Sequence, residues 1–283
     1  YKGKFGPDVY TDFLIDFMKA HRNEPLCMYF PMALTHTPFV PTPDEPEARG
    51  SLDRHKAMVR YTDKLVGRLT GALDDLGIRD NTIIIFTTDN GTTGKITGHI
   101  KGERLRGGKA KESESGICCP YIVNCPGLVP AGVTTDALTD FTDLLPTFIE
   151  LGSGTVPDGL KIDGVSIAPL LLGKEPDSPR DWIMAMGHDP AKLDNKGVRG
   201  VEDFATRVIR DKQFKVWISE KKKIIRLHDL KADPMEKVNL LESQSPEHVA
   251  ALEKFQAVLD TLPDKDARPL YEPRAANPWD KKK

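Results

Sequence analysis

Residues 82–91 read Thr82-Ile83-Ile84-Ile85-Phe86-Thr87-Thr88-Asp89-Asn90-Gly91, and this stretch decides the fold class. Its first six residues are β-branched or aromatic without alternation, the pattern of a strand covered on both faces, as in a parallel α/β sheet. The last four turn polar at the strand's C-terminal end, where α/β sheets hold their ligands. A carboxylate beside an amide oxygen makes Asp89-Asn90 a pair of hard donors suited to Ca²⁺ or Mg²⁺. An Asx-Gly pair is also a turn signal in its own right.

Upstream, Leu52 to Leu76 follows a long helical pattern, with Gly77 as its C-cap and Asp80-Asn81 as a turn. Leu26 to Phe30 reads as a short buried strand ended by Pro31. A stiff proline-rich loop follows, and it carries His36 between two threonines. Asp8 to His21 sets Val9, Phe13, Phe17 and Ala20 at helical spacing.

Downstream, residues 91–116 form a long irregular loop rich in Gly, Lys and Glu. Within it, Lys109 follows two glycines that let the backbone approach a ligand. An ammonium there can neutralise an oxyanion, and His36 can hold or protonate an anion. Each also reads as an ordinary solvated loop residue, and so do His99 and Lys101.

Ile117 to Val123 is a further strand, Leu138 to Leu151 a helix despite Pro146, and 152–180 a linker with one apolar piece, Ile167 to Leu172. Beyond Arg180 three short runs, Phe204–Arg210, Phe214–Ser219 and Ile224–Leu230, are separated by tight turns and predict an antiparallel meander. Pro246 to Leu262 is a final amphipathic helix expected to pack on that sheet, and the end of the chain is a polar, Pro-rich tail.

The composition suits a large soluble core: 283 residues, 39% hydrophobic and 29% charged. A formal net charge of -2 gives no sign of a nucleic-acid partner, and no apolar run is long enough to span a membrane. The clusters Lys221–Lys223 and Lys281–Lys283 read as solvated. None of the cysteines, Cys27, Cys118, Cys119 and Cys125, has zinc-ligand spacing. Cys27 and Cys118 lie in apolar runs and are expected to be buried thiols.

Several collinear stretches together resemble the type I, formylglycine-dependent sulfatases of the alkaline-phosphatase-like superfamily. NTIIIFTTDNG, preceded by YTDKLVGRLTGALDDLGIRD, is similar to the family's helix, strand and metal loop. LCMYFPMALTHTPFVP resembles its strand and histidine-proline loop, and LRGGKAKESESGICCPYIVNCPGLVPAG its lysine loop. DFTDLLPTFIELGSG and IDGVSIAPLLLGKEP continue the match. RVIRDKQFKVWIS and LHDLKADPMEKVNL resemble its small C-terminal sheet domain.

The resemblance implies an α/β fold, an alkaline-phosphatase-like mixed sheet flanked by helices and incomplete here. A small C-terminal α+β domain with an antiparallel sheet is implied beside it. The expected units are 1–175, 176–265 and a tail over 266–283. Asp89 and Asn90 are implied as calcium ligands, with Mg²⁺ as the alternative ion. His36 and Lys109 are implied as catalytic residues on the sulfate ester. The implied substrate is a sulfated small molecule or saccharide, and the implied location is periplasmic or secreted.

This chain departs from the pattern in two places. Glu114-Ser115-Gly116 and then Cys118 stand where relatives carry Glu-Gly-Gly and then Arg, so Glu114 receives no catalytic role. No C/S-x-P-x-R motif, the source of the formylglycine nucleophile, occurs; Cys118-Cys119-Pro120-Tyr121-Ile122 has Ile in place of Arg. The chain is therefore expected to be truncated before Tyr1, inactive by itself, and prone to self-association through faces a missing segment would cover. A phosphoester or phosphonate hydrolase of the same superfamily and a non-catalytic calcium-binding relic are the alternatives.

Overall fold

The computed structural model describes residues 1–100, 102–187, 191–194, 197–200 and 204–266, with 191–194 and 197–200 described by backbone alone. Lys101 and the expected tail beyond residue 266 lie outside the described residues.

Helix α1 (Gly6–Ala20) opens with Pro7 in its first turn, where the missing N–H costs nothing. Its buried positions are Pro7, Thr11 and Met18. Phe13 and Phe17 instead point outward, 66% and 39% exposed, and stack along the helix with His21. The helical spacing was read correctly and the face was not. Helix α2 (Gly50–Asp75) lies against α1. The Tyr61 hydroxyl donates to Asp8, and Arg68 bridges Asp8 and Asp12. Gly77 closes α2 at φ +69, the left-handed turn expected of a C-cap glycine.

Residues 26–30 join no sheet among the described residues; the segment is unpaired, and Tyr29 is 87% exposed. Strand β1 (Ile84–Thr87) follows, and hairpin β2 (Thr97–Ile100) and β3 (Glu103–Arg106) breaks up what the sequence reads as irregular loop. A short turn of helix, α3 (Glu114–Ile117), occupies the start of the expected strand, which contracts to β4 (Tyr121–Asn124). Pro120 separates the two and ends the helical turn before it. Among the described residues β1 pairs with β4 alone, and the pairing is antiparallel, so the apolar run at 82–87 meets there none of the parallel neighbours it predicts.

After β4, a 3₁₀ turn at Phe141–Asp143 leads into α4 (Leu144–Leu151), and α5 (Ala168–Leu171) falls within the apolar piece of the linker. Asp143 is fully buried. It accepts from Arg180 and from the Asp140 and Val165 amides, tying the start of α4 to residue 180.

The last part is a four-stranded antiparallel sheet. Strand β5 (Ile183–Met186) was missed by the sequence reading, and hairpin β6 (Ala191–Asp194) and β7 (Gly197–Gly200) stands beside it in sequence. Strands β8 (Arg207–Arg210), β9 (Phe214–Ile218) and β10 (Ile224–Asp229) form the expected meander, in spatial order β10-β9-β8-β5. Helix α6 (Pro246–Thr261) lays Ala251, Phe255 and Leu259, one helical stripe, on Phe214, Val216, Ile218 and Leu227.

Of the cysteines, only Cys125 is buried. Cys27 and Cys118 are exposed, against expectation, because the apolar runs around them are not enclosed by strands on both sides.

Candidate active site

Three loops carry the four candidate side chains. The first, after residue 30, holds His36. Its Nδ1 lies 2.6 Å from the Thr37 carbonyl, which can only accept, so Nδ1 carries a proton and Nε2 is left for other partners. Phe39 from this loop packs with Met58 of α2 and Ile96 of the second loop, with Leu34 against them. That small apolar cluster pins the first loop to the second.

The second loop leaves β1 through Asp89 and Asn90. The Asn90 side-chain amide donates to the Gly91 carbonyl at 3.0 Å, which leaves its oxygen free. Asp89 is exposed and forms no hydrogen bond or ion pair among the described residues.

The third loop holds Lys109, half-buried and without an ion pair among the described residues. Its amide donates to the Thr92 carbonyl at 3.0 Å, so the second and third loops are directly bonded. The chain turns at once after it, with Ala110 at φ +68. Two contacts require glycine. A Cβ at Gly107 would stand 2.3 Å from the Thr92 carbonyl oxygen, and one at Gly91 would stand 2.0 Å from that of Ser115. The backbones of 91–93, 107–109 and 115–116 therefore cross at contact distance.

His36, Asp89, Asn90 and Lys109 all line one open trough of about 3470 Å³, together with His99 and Glu114. A divalent cation fits this donor set only in part. Asp89 and Asn90 offer side-chain oxygens, while calcium takes about six to eight oxygen ligands. No group of three or more His, Cys, Asp or Glu residues among the described residues is placed to hold a metal ion.

Sequence reasoning gave Glu114 no catalytic role, and the structure engages both of its carboxylate oxygens. Arg210 donates to its Oε2 at 2.5 Å and Lys215 to its Oε1 at 3.0 Å. The only signal in the sequence was Lys215 itself, a lysine within an apolar strand.

A family model described as Sulfatase matches residues 7–155, and one described as N-sulphoglucosamine sulphohydrolase, C-terminal, matches residues 109–262. Arylsulfatase A of Bos taurus is 33% identical over 205 residues, 72% of this chain and 37% of that protein. N-acetylgalactosamine-6-O-sulfatase of Bacteroides thetaiotaomicron is 28% identical over 258 residues, 88% of this chain and 50% of that protein. The chain spans half or less of the length of these curated relatives.

Among solved structures, a protein in complex with its substrate D-glucosamine-2-N,6-O-disulfate is 27% identical with a TM-score of 0.56, over 75% of this chain and 42% of that one. The PsFucS1 sulfatase from Pseudoalteromonas sp. reaches a TM-score of 0.67 at 21% identity, over 92% of this chain and 54% of that one, a likeness of fold alone. The mixed α/β arrangement with its antiparallel sheets is the alkaline-phosphatase-like fold in incomplete form. With a family model over more than half of its residues, this chain belongs to the sulfatase family.

Proposed function

We propose that this chain carries the metal-and-anion part of a site that hydrolyses sulfate monoesters. The supporting observation is that His36, Asp89, Asn90 and Lys109, from three loops bonded and packed together, line one trough. In this reading Asp89 and Asn90 give two of the oxygen ligands of a Ca²⁺ ion, with Mg²⁺ as the alternative. The bound ion would supply positive charge to the oxygens of the sulfate ester. Lys109 faces the same anion with its ammonium, where charge builds as the ester bond breaks. His36 donates Nδ1–H to Thr37, so Nε2 can bind an ester oxygen or hand a proton to the leaving alcohol only in the imidazolium form, which carries a proton on both ring nitrogens.

The formylglycine nucleophile does not come from these residues, since no C/S-x-P-x-R motif is among them. Hydrolysis then requires a segment that provides it, and this chain by itself is inactive. A sulfated saccharide is the favoured substrate class, because relatives named for N-acetylgalactosamine-6-O-sulfate and solved with a disulfated glucosamine are similar over much of the chain. A periplasmic or secreted location accompanies this reading; no helix among the described residues is long and apolar enough to cross a membrane. A division near residue 175, between the α/β part and the sheet-and-helix part, belongs to the same proposal.

Two measurements test it. Adding CaCl₂ and then sodium sulfate to the isotopically labelled chain is expected to shift Asp89 and Asn90 first, then His36 and Lys109. No response at either pair would sink the assignment. Joined to a formylglycine-bearing segment, the chain is expected to hydrolyse 4-nitrophenyl sulfate faster than 4-nitrophenyl phosphate. The reverse order would make it a phosphoester hydrolase.

A further inference from the structure

Lys215 is 0% exposed, the second residue of strand β9. Phe214, Val216 and Ile218 face α6, so Lys215 points to the opposite side of the sheet, where only charged partners make its burial tolerable. Its ammonium donates to the Glu112 carbonyl at 2.7 Å and to Glu114 Oε1 at 3.0 Å, and forms an ion pair with Glu236 Oε1 at 2.9 Å. Arg210, at the end of β8, adds a second cation on Glu114. Two cations and two carboxylates thus balance.

The network continues into the backbone of the loop. Glu236 Oε2 accepts from the Glu114 amide at 2.7 Å, and Glu236 sits at φ +54, a conformation uncommon outside glycine. The Glu112 carboxylate accepts from Thr206 at 2.8 Å and fills the space that a Cβ on Gly187 would need, 1.7 Å away. From α3 two further bonds reach the candidate site. The Ser115 carbonyl accepts from Gly108, the residue before Lys109, and the Gly116 carbonyl accepts from Gly91, the residue after Asn90.

We propose that Lys215, Arg210, Glu114 and Glu236 form a positioning device: through α3, the C-terminal sheet holds the Lys109 loop and the Asp89-Asn90 turn in fixed relation. Glu114 and Lys215 are positioning residues in this scheme, acting through backbone and touching no substrate. Only the purpose of the device rests on the sulfate-ester reading. The geometric claim stands without it.

Amide hydrogen exchange on the full chain tests the coupling. In Lys215→Met, exchange at Gly91 and Gly108 is expected to quicken at least about tenfold relative to buried α2 residues such as Leu65. Glu114→Gln, which keeps an acceptor and loses only the charge, is expected to quicken the same two amides by less. It decides the matter if Lys215→Met does not fold. Gly91 and Gly108 unchanged, or quickening only in step with Leu65, would overturn the proposal and leave an ordinary stabilising ion network. A wild-type chain that ignores CaCl₂ and sulfate, yet shows the selective exchange change, would overturn the functional reading and keep this one.

Discussion

The β1–β4 ribbon and the four-stranded C-terminal sheet are built from similar residues and end in different states. In the C-terminal sheet Val208, Ile209, Val216, Ile218 and Leu227 are at most 1% exposed, because α6 covers one face and the 112–114 and 233–236 segments cover the other. In the ribbon every residue of β1 is only half-buried, and Ile122 of β4 is 58% exposed. Apolar character makes a strand available for burial, and a neighbouring element has to complete it. The C-terminal sheet finds α6 within a few tens of residues and a second cover in 112–114, far upstream in sequence. Among the described residues the ribbon has one antiparallel partner and an open trough.

The largest expected effect sharpens this contrast. Phe255 of α6 is 0% exposed in the C-terminal core, and Phe255→Ala should cost about 3–5 kcal/mol of stability in denaturant unfolding. Ile122→Ala in the ribbon should change stability by less than about 0.5 kcal/mol. Equal losses at the two positions would show that the ribbon is covered in solution.

Next in size comes the pH response of the C-terminal sheet. His228 of β10 stands opposite Lys215 on β9 and is 2% exposed. Burial pushes its imidazole below the ordinary value of 6.5; Glu236 and Asp233 oppose the shift, and Arg226 adds to it. The unfolded chain therefore takes up a proton near 6.5 while the folded chain resists. Stability is fully present above 6.5 and declines as pH falls from there toward the folded value. Stability of the wild type should drop on acidification below 6.5, and His228→Phe should flatten that drop. A second decline, below 3.8, belongs to Asp211 and Asp229. Burial raises both, but hydrogen bonds outweigh it: Lys254 leads for Asp211, and the Ala232 amide for Asp229. An unaltered slope in the variant would assign the first decline to other groups.

The contrast also explains what was legible in sequence. The meander and α6 could be read because the strands pair with their neighbours in sequence across tight turns and α6 carries a clear helical stripe. Gly77 was readable for a similar local reason: a helix ending there needs a positive φ. The ribbon was misread as part of a parallel sheet, and 26–30 as a buried strand, since unbroken apolar runs reveal demand for cover and not its supply. Phe13 and Phe17 failed in the same way, as their spacing matches a helix face but does not say which face α2 takes. For the candidate site, residue types and order singled out His36, Asp89, Asn90 and Lys109. Glu114 was given no catalytic role because the residues after it depart from the family pattern, and its ion pairs with Arg210 and Lys215 could not be read, since both lie about a hundred positions away.

Self-association is a smaller effect that bears on the exposed side of the comparison. If the ribbon's open face draws a second copy, the sedimentation coefficient should rise with concentration, and Ile122→Ser together with Tyr29→Ser should reduce that rise. Both side chains are more than half exposed, so the substitutions should leave folding intact. A monodisperse wild type at all concentrations would break the link between the uncovered face and association.

The smallest expected effect on stability falls at the candidate site itself. Asp89 is exposed, and among the described residues it forms no hydrogen bond or ion pair and Lys109 no ion pair, so neither is expected to add much to what holds the fold. Asp89→Ala and Lys109→Ala should therefore shift unfolding midpoints by less than about 0.5 kcal/mol of stability. The same variants should abolish the response to CaCl₂ and to sulfate respectively. That separation would support the proposed role of these side chains, which border the trough and make no side-chain bond among the described residues. A stability loss in Lys109→Ala comparable to that of Phe255→Ala would mean that the lysine serves the fold, and the reading of it as an anion ligand would lose its physical basis.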